Sequence, residues 1–298
     1  MRIGTMLSAN GLDDAVKQVA DAKARGFSSV WLSQIFGLDA LTAIAVIGRE
    51  VSDIELGTAV VPTYPRHPQA LAMQAMTVQA AIGNRLSLGI GLSHQVVIEG
   101  MYGMSFDKPA RHMREYLSIL KPLLHGESAS VSGETLTWRG MGPLDVPGAQ
   151  PPQLLLAALA PRMLDLAAAE ADGTVTWMTG PATIGDHIVP SLLKAAEKAG
   201  RATPRVVAAL PVSITADPDK AREEAATIFA IYGQLPSYRA MLDKEGAAGP
   251  ADVAIVGDEG TVAKEIQRVL DAGATDFVAA VYGDIPRTLD VLTGLVGA

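Results

Sequence analysis

Four times along this chain an amphipathic helical pattern runs into glycine, and a short apolar strand follows at once. Leu12, Ala15, Val16 and Val19 recur at helical spacing, Gly26 stops them, and 27–33 reads as a strand. A helix over 69–82 ends at Gly83 before a strand at 86–90, and a helix over 161–171 ends at Asp172-Gly173 before 174–177. The helix built on Val262, Ile266, Val269 and Leu270 ends at Gly273 before 277–281. Glycine leaves a helix through positive φ at little steric cost. Helix, glycine and strand repeated in that order is the signature of parallel β-α units.

Further strands read at 2–8, 54–61, 153–158 and 205–214, and further helices at 39–51, 184–199 and 218–246. Eight strands with intervening helices predict an α/β protein, a (β/α)8 TIM barrel, as one domain over all 298 residues. Several strands are apolar on both faces, as buried parallel strands are. A doubly wound open sheet is the competing architecture. It calls for G-x-G-x-x-G after the first strand, where Ser8-Ala9-Asn10-Gly11-Leu12 stands instead. The stretch 100–152 is out of rhythm, with a helix from Arg111 to Leu124 and then a hairpin turning at Gly133. It is expected to be an insertion after strand four, lying as a lid over the barrel mouth.

Composition narrows the chemistry. With no cysteine, a disulfide scaffold, thiolate catalysis and a Cys-ligated metal are excluded. The five histidines include no pair at ligand spacing, so no metal site is expected. The net charge of −8 argues against nucleic acid and anionic membranes as partners. Neither an export signal nor an apolar span is visible, so a cytoplasmic location is expected.

In a β/α barrel the site lies at the C-terminal ends of the strands. There the chain places Ser33 and Gln34, the run 60–68, Gly91 to His94, Ala157 to Arg162, and Trp177 to Gly180. Gly89, Gly91, Ala157, Ala158 and Ala160 either bare the backbone to a large flat ligand or merely fill a crowded rim. Pro161-Arg162 opens a helix whose N–H groups suit a phosphate, or is an ordinary helix start. His94 could move a proton, hydrogen-bond a ligand or cap its own loop. Arg111, His112 and Arg114 read as a solvated helix face, and His67 as a helix entry. No nucleophile elbow, strand-end carboxylate pair or P-loop is present, so hydrolysis and phosphoryl transfer lack machinery. A mouth so poor in reactive groups points to a cofactor that brings its own chemistry.

At these loops the chain resembles the luciferase-like monooxygenase superfamily, and within it the branch dependent on the deazaflavin coenzyme F420. The carrying segments are Val30-Trp31-Leu32-Ser33-Gln34, the run 56–68 from Leu-Gly-Thr to Arg-His-Pro, Leu88-Gly89-Ile90-Gly91, the run 156–163, and 171–177. The resemblance implies a non-proline cis peptide at Ala59-Val60 supporting the cofactor ring, with Thr63 close by. It implies Gly89, Gly91, Ala158, Leu159 and Ala160 along the ring and its side chain, Arg162 on the phosphate, and Thr176 and Trp177 nearby. Three departures stand out. Ser33-Gln34-Ile35 replaces the Ser-Asp-His of sugar-phosphate oxidisers, His94 replaces a glutamate, and the substrate-phosphate lysine after strand six is absent. Gln34 could still hydrogen-bond the deazaflavin.

The expectation is an F420-dependent oxidoreductase passing a hydride to or from a small lipophilic substrate, with reduction favoured and His94 moving the proton. Ile35, Phe36, Leu92, Trp177 and Met178 are expected to line the substrate lobe. The alternatives are an FMN-dependent monooxygenase of the same superfamily, and an F420-binding protein without turnover. A homodimer is expected.

Overall fold

A computed structural model describes residues 1–140 and 142–296. Eight parallel strands close on themselves: β1 (Ile3–Met6), β2 (Ser29–Leu32), β3 (Glu55–Thr58), β4 (Leu86–Gly91), β5 (Gln153–Leu156), β6 (Gly173–Trp177), β7 (Arg205–Ile214) and β8 (Asp276–Val281). Each pairs with the next, and β8 pairs back to β1 through Ile3 opposite Phe277. The TIM barrel is therefore present. Its ring holds α1 (Leu12–Ala24), α2 (Ala40–Glu50), α3 (Pro68–Ile82), α4 (Pro109–Leu124), α5 (Pro161–Glu170), α6 (Val189–Ala199), α7 (Glu259–Asp271) and α8 (Ile285–Val296). None of the described helices is long and apolar enough to cross a membrane.

The glycine stops at Gly26, Gly83 and Gly273 take φ of 83°, 69° and 104°. Gly173 behaves differently. Helix α5 already ends at Glu170, and Gly173 opens β6, where a β-carbon would lie 2.0 Å from the Arg205 carbonyl oxygen.

The stretch 100–152 divides into two parts. Helix α4 packs between α3 and α5 as the regular fourth ring helix. The hairpin Ser130–Ser132 with Thr137–Arg139 is antiparallel and held to the flank of α4. There Glu115 accepts the N–H groups of Glu134, Thr135 and Leu136. A second excursion follows β7, with helices Pro218–Ile228 and Pro236–Glu245 and a short strand Ile255–Gly257 beside β7. The helical pattern over 218–246 does not distinguish this excursion from ordinary ring helix.

The barrel interior is filled by Trp31, Leu155, Val175, Val207, Ala209 and Val278. Its N-terminal end is closed by charge. Arg205 meets Asp276 at 2.6 Å and Glu55 at 2.8 Å, and Arg2 meets the same two carboxylates at 2.7 and 2.6 Å. Two surface depressions of about 480 and 630 Å³ open near this end. In this fold chemistry belongs to the opposite end, where every strand terminates in a loop.

Candidate functional site

The site is built on the C-terminal ends of β2 to β6. After β2, Ser33 and Gln34 are half-buried. The Gln34 side-chain oxygen accepts the Ala40 N–H at 2.8 Å, fixing the entry to α2 and leaving the amide NH₂ as a donor. After β3 the chain bulges, and the Ala59–Val60 peptide is cis, as the resemblance implies. Both residues pack against the barrel's inner cluster together with Ala157 and Trp177.

The bulge explains two glycines. A β-carbon on Gly89 would stand 2.1 Å from the Thr58 carbonyl oxygen, and one on Gly91 2.7 Å from a Val60 methyl. Gly89 and Gly91 are buried, so they make room for the bulge. What the bulge offers the interior is Ala59 and Val60, flat and apolar.

Thr63, three residues beyond Val60, is 1% exposed, and its hydroxyl shares a 3.1 Å hydrogen bond with His112 Nε2. His112 is 5% exposed, which corrects its reading as part of a solvated face. Its ring stacks on Tyr64 with centroids 4.0 Å apart, and Tyr64 stacks in turn on Phe106 at 5.2 Å. Burial pushes the His112 imidazole down to about 4, so it is neutral at pH 7. This column pins the strand-three turn to α4 and to the loop after β4. The signal for it was present in the sequence. His112, Tyr116 and Leu120 recur every four residues on the buried face of α4. His67 is the α3 entry, its ring accepting the Gln69 N–H.

After β5, Ala158 is buried, Leu159 half-buried and Ala160 exposed. His187 Nε2, from a π-helical turn at Ile184–Ile188, hydrogen-bonds the Leu159 carbonyl at 2.8 Å and holds the turn in place. Helix α5 then starts behind Ala160 without a side-chain cap, with Pro161 in its first turn and Arg162 exposed beside it. The helix start after β6 differs. There Glu245, from the second excursion, accepts the N–H groups of Ala182 and Thr183 at 3.0 and 2.7 Å.

Strand alternation separates Thr176 from Trp177. Val175 and Trp177 face the barrel interior, while Thr176 points the other way, 2% exposed and with its hydroxyl unpartnered. Met178 is 0% exposed, so it lines no open lobe, whereas Ile35 and Phe36 are exposed at the rim. His94 precedes the short helix Gln95–Gly100 without capping it through its side chain. Its ring lies 5.5 Å from that of Tyr238, and burial lowers its pKa below 6.5. Tyr238, Tyr232 and Phe229 come from the second excursion, and no strand-end motif announced them.

The profile of the family described as luciferase-like monooxygenase matches residues 1–280. The chain belongs to this family. Within reach of it in sequence is a Mycobacterium tuberculosis protein named as a coenzyme F420-dependent oxidoreductase, 28% identical over 302 residues, or 95% of this chain and 85% of the relative. The 5,10-methylenetetrahydromethanopterin reductase of Methanolobus tindarius is 27% identical over 245 residues, covering 82% of this chain and 73% of its own. Among solved structures, the coenzyme F420-dependent tetrahydromethanopterin reductase of Methanopyrus kandleri superposes with a TM-score of 0.83 at 21% identity, over 98% of this chain and 97% of that one. That likeness concerns the luciferase-like barrel itself.

Proposed function

We propose that this family member is a coenzyme F420-dependent oxidoreductase that passes a hydride between the deazaflavin and a small apolar organic substrate. The observation that carries the reading is the contrast between two helix starts at the mouth. The start after β6 is filled by Glu245, whereas the start of α5 has no side-chain cap and has Arg162 beside it. A phosphate-bearing tail fits the second. The relatives named for coenzyme F420 support the choice of cofactor.

The residues present fit that group. Ala59 and Val60, with Ala157 and Trp177, offer an apolar inner wall for a flat ring, and the Gln34 NH₂ is a donor for a ring oxygen. Ser33, Leu159 and Ala160 reach the surface at the same strand ends, Thr63 and Ala158 are buried beneath them and shape the turns, and Arg162 takes the phosphate. Gly89 and Gly91 act through the bulge they permit. Thr176 faces away from this space. When bound, the reduced cofactor supplies a hydride, two electrons carried with one hydrogen. The chain's own residues hold the ring at one face, exclude water with the aromatic wall around Trp177, and manage the proton. His94, neutral at pH 7, accepts a proton at its imidazole when substrate is oxidised; once protonated, it donates when substrate is reduced.

Titration with F420 and with FMN tests the reading. Tight F420 binding followed by hydride transfer to an activated double bond or carbonyl is expected. Tight FMN binding with reductase-dependent oxygen uptake overturns it in favour of a monooxygenase. Val46 and Met73, exposed on the adjoining helices α2 and α3, support a homodimer through that face. Light scattering at twice the chain mass of 31.1 kDa is the corresponding check.

A further inference from the structure

We infer that the aromatic wall joining Trp177 to the excursion after β7 is a recognition site for a flat, uncharged substrate bearing a hydrogen-bond acceptor, a conjugated or aromatic carbonyl compound. The inference rests on the oxidoreductase reading and names its second reactant.

Only 5% of the chain is aromatic, yet the rings of Trp177, Phe229, Tyr232, Tyr238 and Tyr282 form one connected network. Trp177 meets Phe229 at 5.8 Å and 73°, and Tyr232 at 5.6 Å and 78°. Tyr232 meets Tyr238 at 5.2 Å and 87°, and Tyr238 reaches His94. Rings crossing near a right angle make corners. A planar molecule laid in such a corner meets one ring face to face and the next edge to face, both favoured aromatic arrangements. An aliphatic chain gains neither.

The second observation is a donor. Trp177 Nε1–H is buried against the Tyr232 hydroxyl and completes no hydrogen bond of ordinary geometry. A buried donor left unmade is costly, and indole can only donate. A ligand oxygen or ring nitrogen that takes the place of the Tyr232 hydroxyl satisfies it. The acceptor is part of a neutral group, because the neighbouring turn carries the Glu245 carboxylate on the N–H groups of Ala182 and Thr183, leaving an anion repelled and without those donors. A carbonyl conjugated to a ring meets all three conditions. Its oxygen, held by the indole N–H, is where electron density gathers during reduction.

Calorimetric titration of the F420-loaded protein with three probes of similar size is the test: benzylideneacetone, 2-decanone and β-methylstyrene. Benzylideneacetone is expected to bind about tenfold more tightly than either of the others. Trp177→Phe keeps a ring and removes the N–H, so it erases the advantage over β-methylstyrene and retains that over 2-decanone. Tyr232→Leu erases the advantage over 2-decanone. Thermal melts of both variants separate these effects from misfolding. If 2-decanone binds wild type as well as benzylideneacetone, the aromatic wall is overturned; if β-methylstyrene does, the donor role is. The same titration without F420 separates the two readings. Benzylideneacetone preference in a protein that takes up no F420 overturns the oxidoreductase and leaves the recognition site. F420 uptake without any preference among the probes overturns the recognition site alone.

Discussion

The Thr63 hydroxyl and His112 Nε2 lie 3.1 Å apart, both inside the protein, and this bond joins the Tyr64–His112 stack in fastening the turn after the bulge to α4. Loss of the histidine's neutrality is therefore felt at the mouth. The folded His112 titrates at about 4 against 6.5 for the free group, so the unfolded chain binds the extra proton between these values. Stability from this group is fully present above pH 6.5 and drains away as pH falls toward 4, by roughly 3 kcal/mol at most. His112→Gln, which can still bond Thr63, is expected to flatten that part of the stability–pH curve in chemical denaturation. His112→Leu leaves the Thr63 hydroxyl unmade and costs about 1–3 kcal/mol at pH 7.

The bulge leaves no room for side chains at two positions. Gly91→Ala places a methyl 2.7 Å from Val60 and 3.1 Å from the Ala157 methyl, and Gly89→Ala drives one into the Thr58 carbonyl. Overpacking of this kind costs about 1–3 kcal/mol. Gly89→Ala is expected to be the worse of the two, because backbone yields less than a side chain. Both weaken F420 binding by displacing Val60. Melting temperatures with paired fluorescence titrations check the order.

Arg162→Ala is expected to weaken F420 about tenfold, the size of one lost charge-assisted contact to an anion. It leaves the melting temperature unchanged, because the side chain is exposed. A deazariboflavin lacking the phosphate should bind wild type and variant equally. A matching loss for that fragment would place Arg162 on the ring instead.

Burial lowers the pKa of His94, so in the direction of substrate reduction the protonated, donating form is the minority at pH 7. The turnover rate should fall as pH rises through that lowered pKa. In the direction of oxidation the limb reverses. His94→Gln removes the limb in both directions. A profile that keeps its limb in the variant assigns the proton to another group.

At the other end of the barrel, Arg205 neutralises Asp276, whose carboxyl it helps hold below its ordinary range. Arg205→Met leaves Asp276 and Glu55 facing each other with only Arg2, which is half exposed. Removing one partner of a buried pair costs about 3–5 kcal/mol. The loss should appear in urea denaturation at pH 7 and shrink as acid protonates Asp276.

Much of this was legible in the sequence because parallel strands buried on both faces leave a plain trace: short apolar runs, each preceded by a helix and a turn. The helix stop at Gly26 and the cis peptide at Ala59–Val60 stand where they were expected. His112 sits between Arg111 and Arg114, polar neighbours that mask its place on the Tyr116–Leu120 stripe. The excursion after β7 does not stand out in the sequence because its helices are amphipathic like those of the ring. Only their contacts with Trp177 and His94 show that they face the mouth. Glu245 could not be found at all, since its role depends on N–H groups 62 and 63 residues away.

The closure of the barrel by β8 against β1 also has a temporal side. Strand β1 is made long before β8, and Arg2 waits for Asp276 across 274 positions. At ordinary rates of synthesis that wait is somewhere between about 15 s and one minute. Throughout it the growing chain carries an open sheet with apolar strand edges on both sides. A polypeptide cut short before Asp276 thus carries the apolar edges of β1 and β7 with no strand to seal them. Such fragments should be found with chaperones or in aggregates.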